Sequence, residues 1–283
     1  MYIRIGAFVA GLALLFAAAA LAGDAIGPEP PAEDEEMATD AHGAEPTHAG
    51  GGDDPVPGLA SAQGDLRLEL GRDRYEPGAE RKVSFTVLGP GGEPFTDYEV
   101  EHEREMHMIV VRRDLEGFQH LHPRLGAGGT WSAAADLRRP GAYRVFADFA
   151  TPEGSVTLGA DLFVAGGFDP KPLPAPAATA DAGDGYKVAL DGEGEDVAFS
   201  VSRDGEPVTD VEPYLGADGH LVALREGDLG FLHTHPSGEP GGPIEFEVEY
   251  PSPGRYRLFL QFKHDGEVRT AAFTREVTDE PGH

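Results

Sequence analysis

From Leu66 onward the chain alternates apolar and polar residues in short runs: Leu66–Leu70, Val83–Leu88, Met106–Arg112, Phe118–His122, Trp131–Leu137, Gly141–Phe149 and Leu158–Val164. Turn residues separate the runs at intervals of roughly ten positions, the spacing of an antiparallel sandwich. On such strands successive side chains alternate between faces, so one buried face shows as a period of two. Tyr143, Val145, Ala147 and Phe149 share one side of their run. A second series of runs begins at Tyr186, and in it Tyr256, Leu258, Leu260 and Phe262 share a side in the same way.

The two series are copies of each other. A gapless shift of 113 positions lays Gly92–Phe149 on Gly205–Phe262 with 21 identities. These include Gly-Glu-Pro-x-Thr-Asp at 92–97 and 205–210, and Pro-Gly-x-Tyr-Arg-x-Phe at 140–146 and 253–259. A repeat this long means tandem domains rather than a solenoid. The fold expected is therefore all-β: two tandem immunoglobulin-like antiparallel β-sandwiches at 64–166 and 185–279, joined by a Pro-, Ala- and Gly-rich linker at 167–184. Tyr143 and Tyr256, each just after Pro-Gly at a strand start, resemble the tyrosine corner of Greek-key sandwiches.

What precedes the sandwiches differs in kind. Residues 1–22 carry Arg4 and then an unbroken apolar run ending in Ala20-Leu21-Ala22. The run fits a cleaved signal peptide and equally an uncleaved N-terminal membrane helix. Either places the remainder outside the cytoplasm, secreted or anchored to the outer face of the membrane. Residues 23–63 are acidic and rich in Pro, Ala and Gly, with no Lys or Arg, which predicts a disordered tether. Met37, His42 and His48 within it read as solvated side chains.

Charge and composition then remove whole classes of function. The chain has 283 residues and a formal net charge of -28, so nucleic acid and anionic lipid are excluded as charge-driven partners. Contact with membrane is expected only through the N-terminal segment. There is no Cys, which excludes thiol catalysis, disulfides, Fe–S clusters and thiolate metal sites. No nucleophile elbow or phosphate-binding loop is present either, so the chain is not expected to be an enzyme.

The chemistry left is in the histidines, and each copy carries the same arrangement. Residues 107–123 read His-Met-Ile-Val-Val-Arg-Arg-Asp-Leu-Glu-Gly-Phe-Gln-His-Leu-His-Pro, and 220–236 follow the same plan. Each motif is a hairpin of two short strands around a polar loop. If Val111 pairs with Phe118, then Ile109 lies opposite His120 and His107 opposite His122. Cross-strand Cβ atoms are roughly 4.5–5.5 Å apart, so three imidazoles converge; a one-residue slip would remove the first of them. This gives His107, His120 and His122 in the first copy and His220, His233 and His235 in the second. Imidazole suits Cu(II) and Zn(II), and three ligands leave a position for water or a transfer partner. The expectation is one three-histidine site per repeat holding a copper or zinc ion. Met106 and Met108 flank His107 but fall on the opposite face, so they are expected to pack rather than ligate.

The two motifs resemble those of secreted immunoglobulin-like proteins of high-GC Gram-positive bacteria associated with heavy-metal-binding domains. More distantly they are similar to YtkA-like and CopC-type copper-resistance β-sandwiches. The resemblance implies an exported, membrane-tethered or secreted protein that handles copper or another heavy metal, with an envelope metal transporter or carrier as partner.

Against this stands a plainer reading, a structural envelope module whose histidines lie in the core. The face they share also carries Ile109, Val111 and Phe118, which points to the inside of the sandwich. A buried imidazole without hydrogen-bond partners costs roughly 1–3 kcal/mol, however, and an ion can replace several partners at once. Asp97, Asp210, Glu99 and Glu212 occupy matched positions upstream and are candidates either for orienting the rings or for turn chemistry. His102 and His264 have no counterpart in the other copy, and Trp131 is expected in the core. Since imidazole binds metal only when neutral, affinity is expected to fall below about pH 6.

Overall fold

In a computed structural model of the chain, residues 56–232, 234–237 and 242–278 are described. The expected N-terminal helix, most of the acidic tether and His233 lie outside them. No helix among the described residues is long and apolar enough to cross a membrane.

The fold is all-β and made of two antiparallel sandwiches, as the alternation requires. The first contains β1 (Ala62–Gln63), β2 (Leu66–Leu70), β3 (Arg74–Tyr75), β4 (Gly78–Leu88), β5 (His107–Arg112), β6 (Gln119–Leu121), β7 (Arg124–Leu125), β8 (Thr130–Leu137), β9 (Gly141–Thr151) and β10 (Gly154–Val164). Its sheets are ordered β1-β2-β4-β8-β7 and β3-β10-β9-β5-β6, with β3 the one strand that pairs in parallel. The second contains β11 (Thr179–Gly183), β12 (Tyr186–Asp191), β13 (Asp196–Arg203), β14 (Glu206–Pro207), β15 (His220–Arg225), β16 (Phe231–Leu232), β17 (Thr234–Pro236), β18 (Ile244–Val248), β19 (Gly254–His264) and β20 (Glu267–Val277). Its sheets are ordered β11-β12-β13-β18-β17 and β16-β15-β19-β20.

Each sandwich closes over its own core. In the first, Val83, Phe85, Val87 and Trp131 of one sheet meet Met106, Met108, Val110, Val145 and Ala147 of the other. In the second, Val197, Phe199 and Phe246 meet Leu221, Ala223, Leu258 and Leu260. The corner tyrosines act as expected: Tyr143 donates to the Arg139 carbonyl at 2.8 Å and Tyr256 to the Ser252 carbonyl at 2.6 Å.

The face carrying the histidines does not point into its own sandwich, and here the sequence reading needs correction. Ile109, Val111 and Phe146 pack instead against Val222, Leu224, Phe231 and Phe259 of the other repeat, forming a third core between the sandwiches. The inward face of β5 is the one bearing Met108 and Val110, continued by Met106 just before the strand. All six residues of β5 are buried, so both of its faces are covered. A two-fold pattern relates the docked sheets. Phe118 stacks on Phe259 with centroids 4.0 Å apart, and the repeat-equivalent pair, Phe231 and Phe146, meets at 5.4 Å. A tilted pair such as Phe231 and Phe146 adds about 0.5–1.5 kcal/mol beyond the area it buries.

Parts of the segments read as tether and linker are strapped to this interface. Gly58, at the end of the expected tether, lies where an added Cβ would come 2.7 Å from Phe146 and 3.0 Å from Phe231. Its carbonyl accepts from Arg144 at 3.0 Å, and the Phe231 amide donates to the Pro57 carbonyl at 2.9 Å. Leu173, in the expected linker, joins the inter-repeat core, and Arg255 donates to the Pro174 carbonyl at 2.9 Å. These polar, Gly- and Pro-rich residues are ordered because the docked repeats supply partners that their own composition does not.

Candidate metal centre

The β5–β6 hairpin sets the site. Ile109 pairs with His120 and Met108 with Leu121, the register that brings His107, His120 and His122 to one end of a single face. The second repeat uses the same register, with Leu224 opposite Phe231. The loop that fixes the first hairpin is clamped by Arg112 on Asp114, and that of the second by Arg225 on Asp228. In both loops a buried leucine, Leu115 or Leu229, sits at positive φ. That conformation costs about 1–2 kcal/mol per residue, and both side chains bury themselves in the inter-repeat core.

The three imidazoles of the first repeat converge. Their candidate ligand nitrogens all lie within 4.8 Å of one another. Ring centroids are separated by 5.2 Å for His107 and His120, 5.4 Å for His107 and His122, and 5.0 Å for His120 and His122. Imidazoles bound tetrahedrally to one ion at a metal–nitrogen distance of about 2.0–2.1 Å would have centroids about 5 Å apart. The packing of the rings thus matches the spacing of a coordination shell.

Hydrogen bonds decide which nitrogens face inward. His107 Nε2 lies 3.2 Å from the Glu101 carbonyl oxygen, which only accepts, so this nitrogen carries the proton. His120 Nδ1 lies 2.7 Å from Gln261 Oε1, again an acceptor. In neutral rings His107 Nδ1 and His120 Nε2 are then both bare, and they face each other at 3.0 Å. Two lone pairs at that distance repel unless a proton or a cation lies between them. His122 Nε2 is buried with no hydrogen-bond partner among the described residues. Outer nitrogens donating to carbonyl oxygens and inner nitrogens left free form the arrangement that metal-ligating histidines show.

An additional proton, which would make one ring a cation, is a poor candidate for that role. Burial and neighbouring imidazoles push His120 down to about 3 and His122 down to about 4. Burial likewise lowers His107. The rings therefore stay neutral across the physiological range, the state in which imidazole binds metal.

Of the second repeat's expected triad, only the His220 side chain is among the described residues. His220, first residue of β15, joins the first-repeat cluster, with its ring 4.8 Å from His120 and 5.8 Å from His107. Burial holds it well below the ordinary imidazole range. His235 lies on β17, whose backbone pairs with Glu247 of β18 in the opposite sheet; its side chain and all of His233 lie outside the described residues.

Other candidates sort as follows. His102 enters the cluster, 5.4 Å from His220 and 6.2 Å from His107 between centroids. It sits with Glu103 at positive φ in a two-residue turn closed by paired backbone bonds between Glu101 and Arg104. Asn-Gly is the usual occupant of such a turn. This one presents both the His102 ring and the Glu101 carbonyl to His107. His264 is tied to the Tyr186 hydroxyl at 2.6 Å and to Asp210 at 3.3 Å, and Glu212 pairs with Lys263. Asp210 and Glu212 thus serve local structure; the groups that orient the clustered rings are the Glu101 carbonyl and Gln261. Sequence reasoning missed Gln261, whose one signal is its position in the repeat, aligned with Asp148 and directly opposite His220. Met106 and Met108 lie in the core of the first sandwich, away from the imidazoles.

The family model described as Domain of unknown function (DUF8832) matches the chain twice, over residues 60–164 and 179–279. No curated protein matches it. Among solved structures the chain is similar to a Salmonella alpha-2-macroglobulin reacted with methylamine, at 14% identity over 80% of this chain and 16% of that one, with a TM-score of 0.27. It is also similar to the BSP domain of a biofilm associated protein, at 11% identity over 77% of this chain and 30% of that one, with a TM-score of 0.24. Domains 4–9 of the surface layer protein SbsC match at 12% identity over 76% of this chain and 31% of that one, with a TM-score of 0.24. The chain spans less than a third of each of these proteins, and values this low carry no functional argument.

Proposed function

We propose that this chain, which belongs to the DUF8832 family, is an exported metal-binding protein that holds a Cu(II) or Zn(II) ion on His107, His120 and His122. One observation carries the reading: His107 Nδ1 and His120 Nε2 meet as bare nitrogens at 3.0 Å while their outer N–H groups are anchored on carbonyl oxygens. An all-imidazole set with no thiolate or thioether on the same face favours borderline divalent ions. Three protein ligands leave a position for a further donor, and an ion so held can pass on to a transporter or carrier of the envelope. The apolar run at 1–22 supports export, as a signal or an anchor. The reading is of binding and not turnover, because the groups that orient His107 and His120 are a carbonyl and an amide, neither of which takes a proton from bound water.

A structural envelope module is the competing reading, and the same hydrogen-bond chain states it. With the Gln261 amide turned over, His120 Nε2 would donate to His107 Nδ1 and that pair would need no ion. His122 Nε2 would still have no partner. Elemental analysis of the full chain, purified without added metal and then loaded with Cu(II) or Zn(II), separates the two. Stoichiometric metal that is lost in His120→Ala/His122→Ala supports the site, and absence of metal from the loaded wild-type protein supports the structural module.

A further inference from the structure

The cluster lies where the two repeats meet, and groups from both reach it. We propose that the ion is held by the two repeats together, with His220 of the second supplying a fourth nitrogen to the three imidazoles of the first. This rests on the metal reading above and extends it from a site within one repeat to a clasp between them.

Three independent placements carry it. His220 and His107 are the same residue of the repeat, each the first residue of its strand. Their rings lie nearly parallel, at 14° and 5.8 Å, so the two-fold relation between the docked sheets runs between them. The His220 ring also lies 4.8 Å from His120. These two separations bracket the spacing of about 5 Å expected for imidazoles on one ion. Finally, the second repeat already orients a ligand of the first: Gln261, the direct cross-strand neighbour of His220, holds His120 Nδ1. His220 lies outside the set of nitrogens within 4.8 Å of one another, and its ring stacks on His120 at 28°, so ligation requires it to turn about its side-chain torsions toward the shared centre.

The consequence is a coupling between metal and repeat docking. The interface also has an apolar core, built on Ile109, Val111, Phe146, Val222, Leu224 and Phe259, and such contacts do not depend on metal. An ion shared across it binds the docked arrangement better than a separated one, and linkage then makes the ion stabilise docking by the same factor.

The test uses the full chain, Cu(II) as probe, and His220→Ala, with His220→Phe as a second variant that keeps an aromatic ring against His120. Apo folding is checked first by circular dichroism, and Cu(II) affinity is then measured against a competing chelator. The loss expected is at least about tenfold, because losing even a partner outside the coordination shell costs that much, with one ion per chain retained. Electron paramagnetic resonance should show one fewer coupled nitrogen in both variants. Wild-type-like affinity and an unchanged nitrogen pattern in either folded variant overturn the clasp while leaving the three-histidine site standing. A wild-type chain that takes up no Cu(II) overturns the metal reading itself and the clasp with it.

Discussion

Gln261→Leu isolates the orienting bond from the ligands. Gln261 is 7% exposed and its amide oxygen lies 2.7 Å from His120 Nδ1, while its nitrogen reaches Thr270 Oγ1 at only 3.4 Å. Leucine has similar volume, so packing is preserved and the polar losses are the acceptor for His120 and the long contact to Thr270. In the apo protein the His120 N–H is left buried and unpaired, which costs about 1–3 kcal/mol. In the metal-bound protein the ring loses the bond that fixes its tautomer and aim, which typically costs 10- to 100-fold in affinity. That range corresponds to about 1.4–2.7 kcal/mol of binding free energy. Isothermal titration against a chelator of known affinity reads it directly. Gln261→Glu is the matched control, since a carboxylate accepts the same proton more strongly and should hold or raise affinity. Unchanged or improved affinity in Gln261→Leu would refute the reasoning, since it would mean that the amide donates to His120 instead of accepting from it.

Three further outcomes follow for the same site. Met106→Leu/Met108→Leu should cost under about 1.5 kcal/mol each in chemical denaturation and leave Cu(II) and Cu(I) affinity unchanged; a tenfold loss would place a thioether on the histidine face. His120, at about 3, and His122, at about 4, lie below the ordinary imidazole value near 6.5. As pH falls through 6.5 the unfolded rings take up protons while the folded ones stay neutral. Apo stability is therefore full above pH 6.5 and is lost progressively toward pH 4. The slope is at most about 1.4 kcal/mol per pH unit for each ring, less for the partly exposed His122. Metal retention should correspondingly persist well below pH 6, where the sequence alone placed its loss. Denaturation of wild type and His120→Phe across pH 7 to about 4.5 measures this, and identical slopes would contradict it.

How much of this was legible in the sequence depends on what each pattern encodes. Strand alternation and the repeated Gly-Phe-x-His-x-His-Pro segment specified the hairpins, and the pairing of Ile109 with His120 is the one expected. Opposite faces for His107 and the two methionines followed from the same period. Alternation does not say which face is inside when both are covered, and β5 is buried on both sides. Hence Ile109 and Val111 read as sandwich core and pack instead against Val222 and Leu224. The place of His220 beside His120 depends on how two finished domains dock, which no local pattern records. Gln261 was missed for the same reason, since its partner is 141 residues away in sequence. Residues 56–63 read as tether because their composition buries little; their order comes from Phe146, Arg144 and Phe231, contributed by strands of both repeats.

The central claim is that His107, His120 and His122 converge on a metal ion, and X-ray absorption on the zinc- or copper-loaded full chain tests it most directly. The expected spectrum has three or four nitrogen scatterers at about 2.0–2.1 Å with the outer-shell pattern of imidazole, and that pattern should be absent from His120→Ala/His122→Ala. A shell of oxygen alone, or the same spectrum in the double variant, would contradict the account.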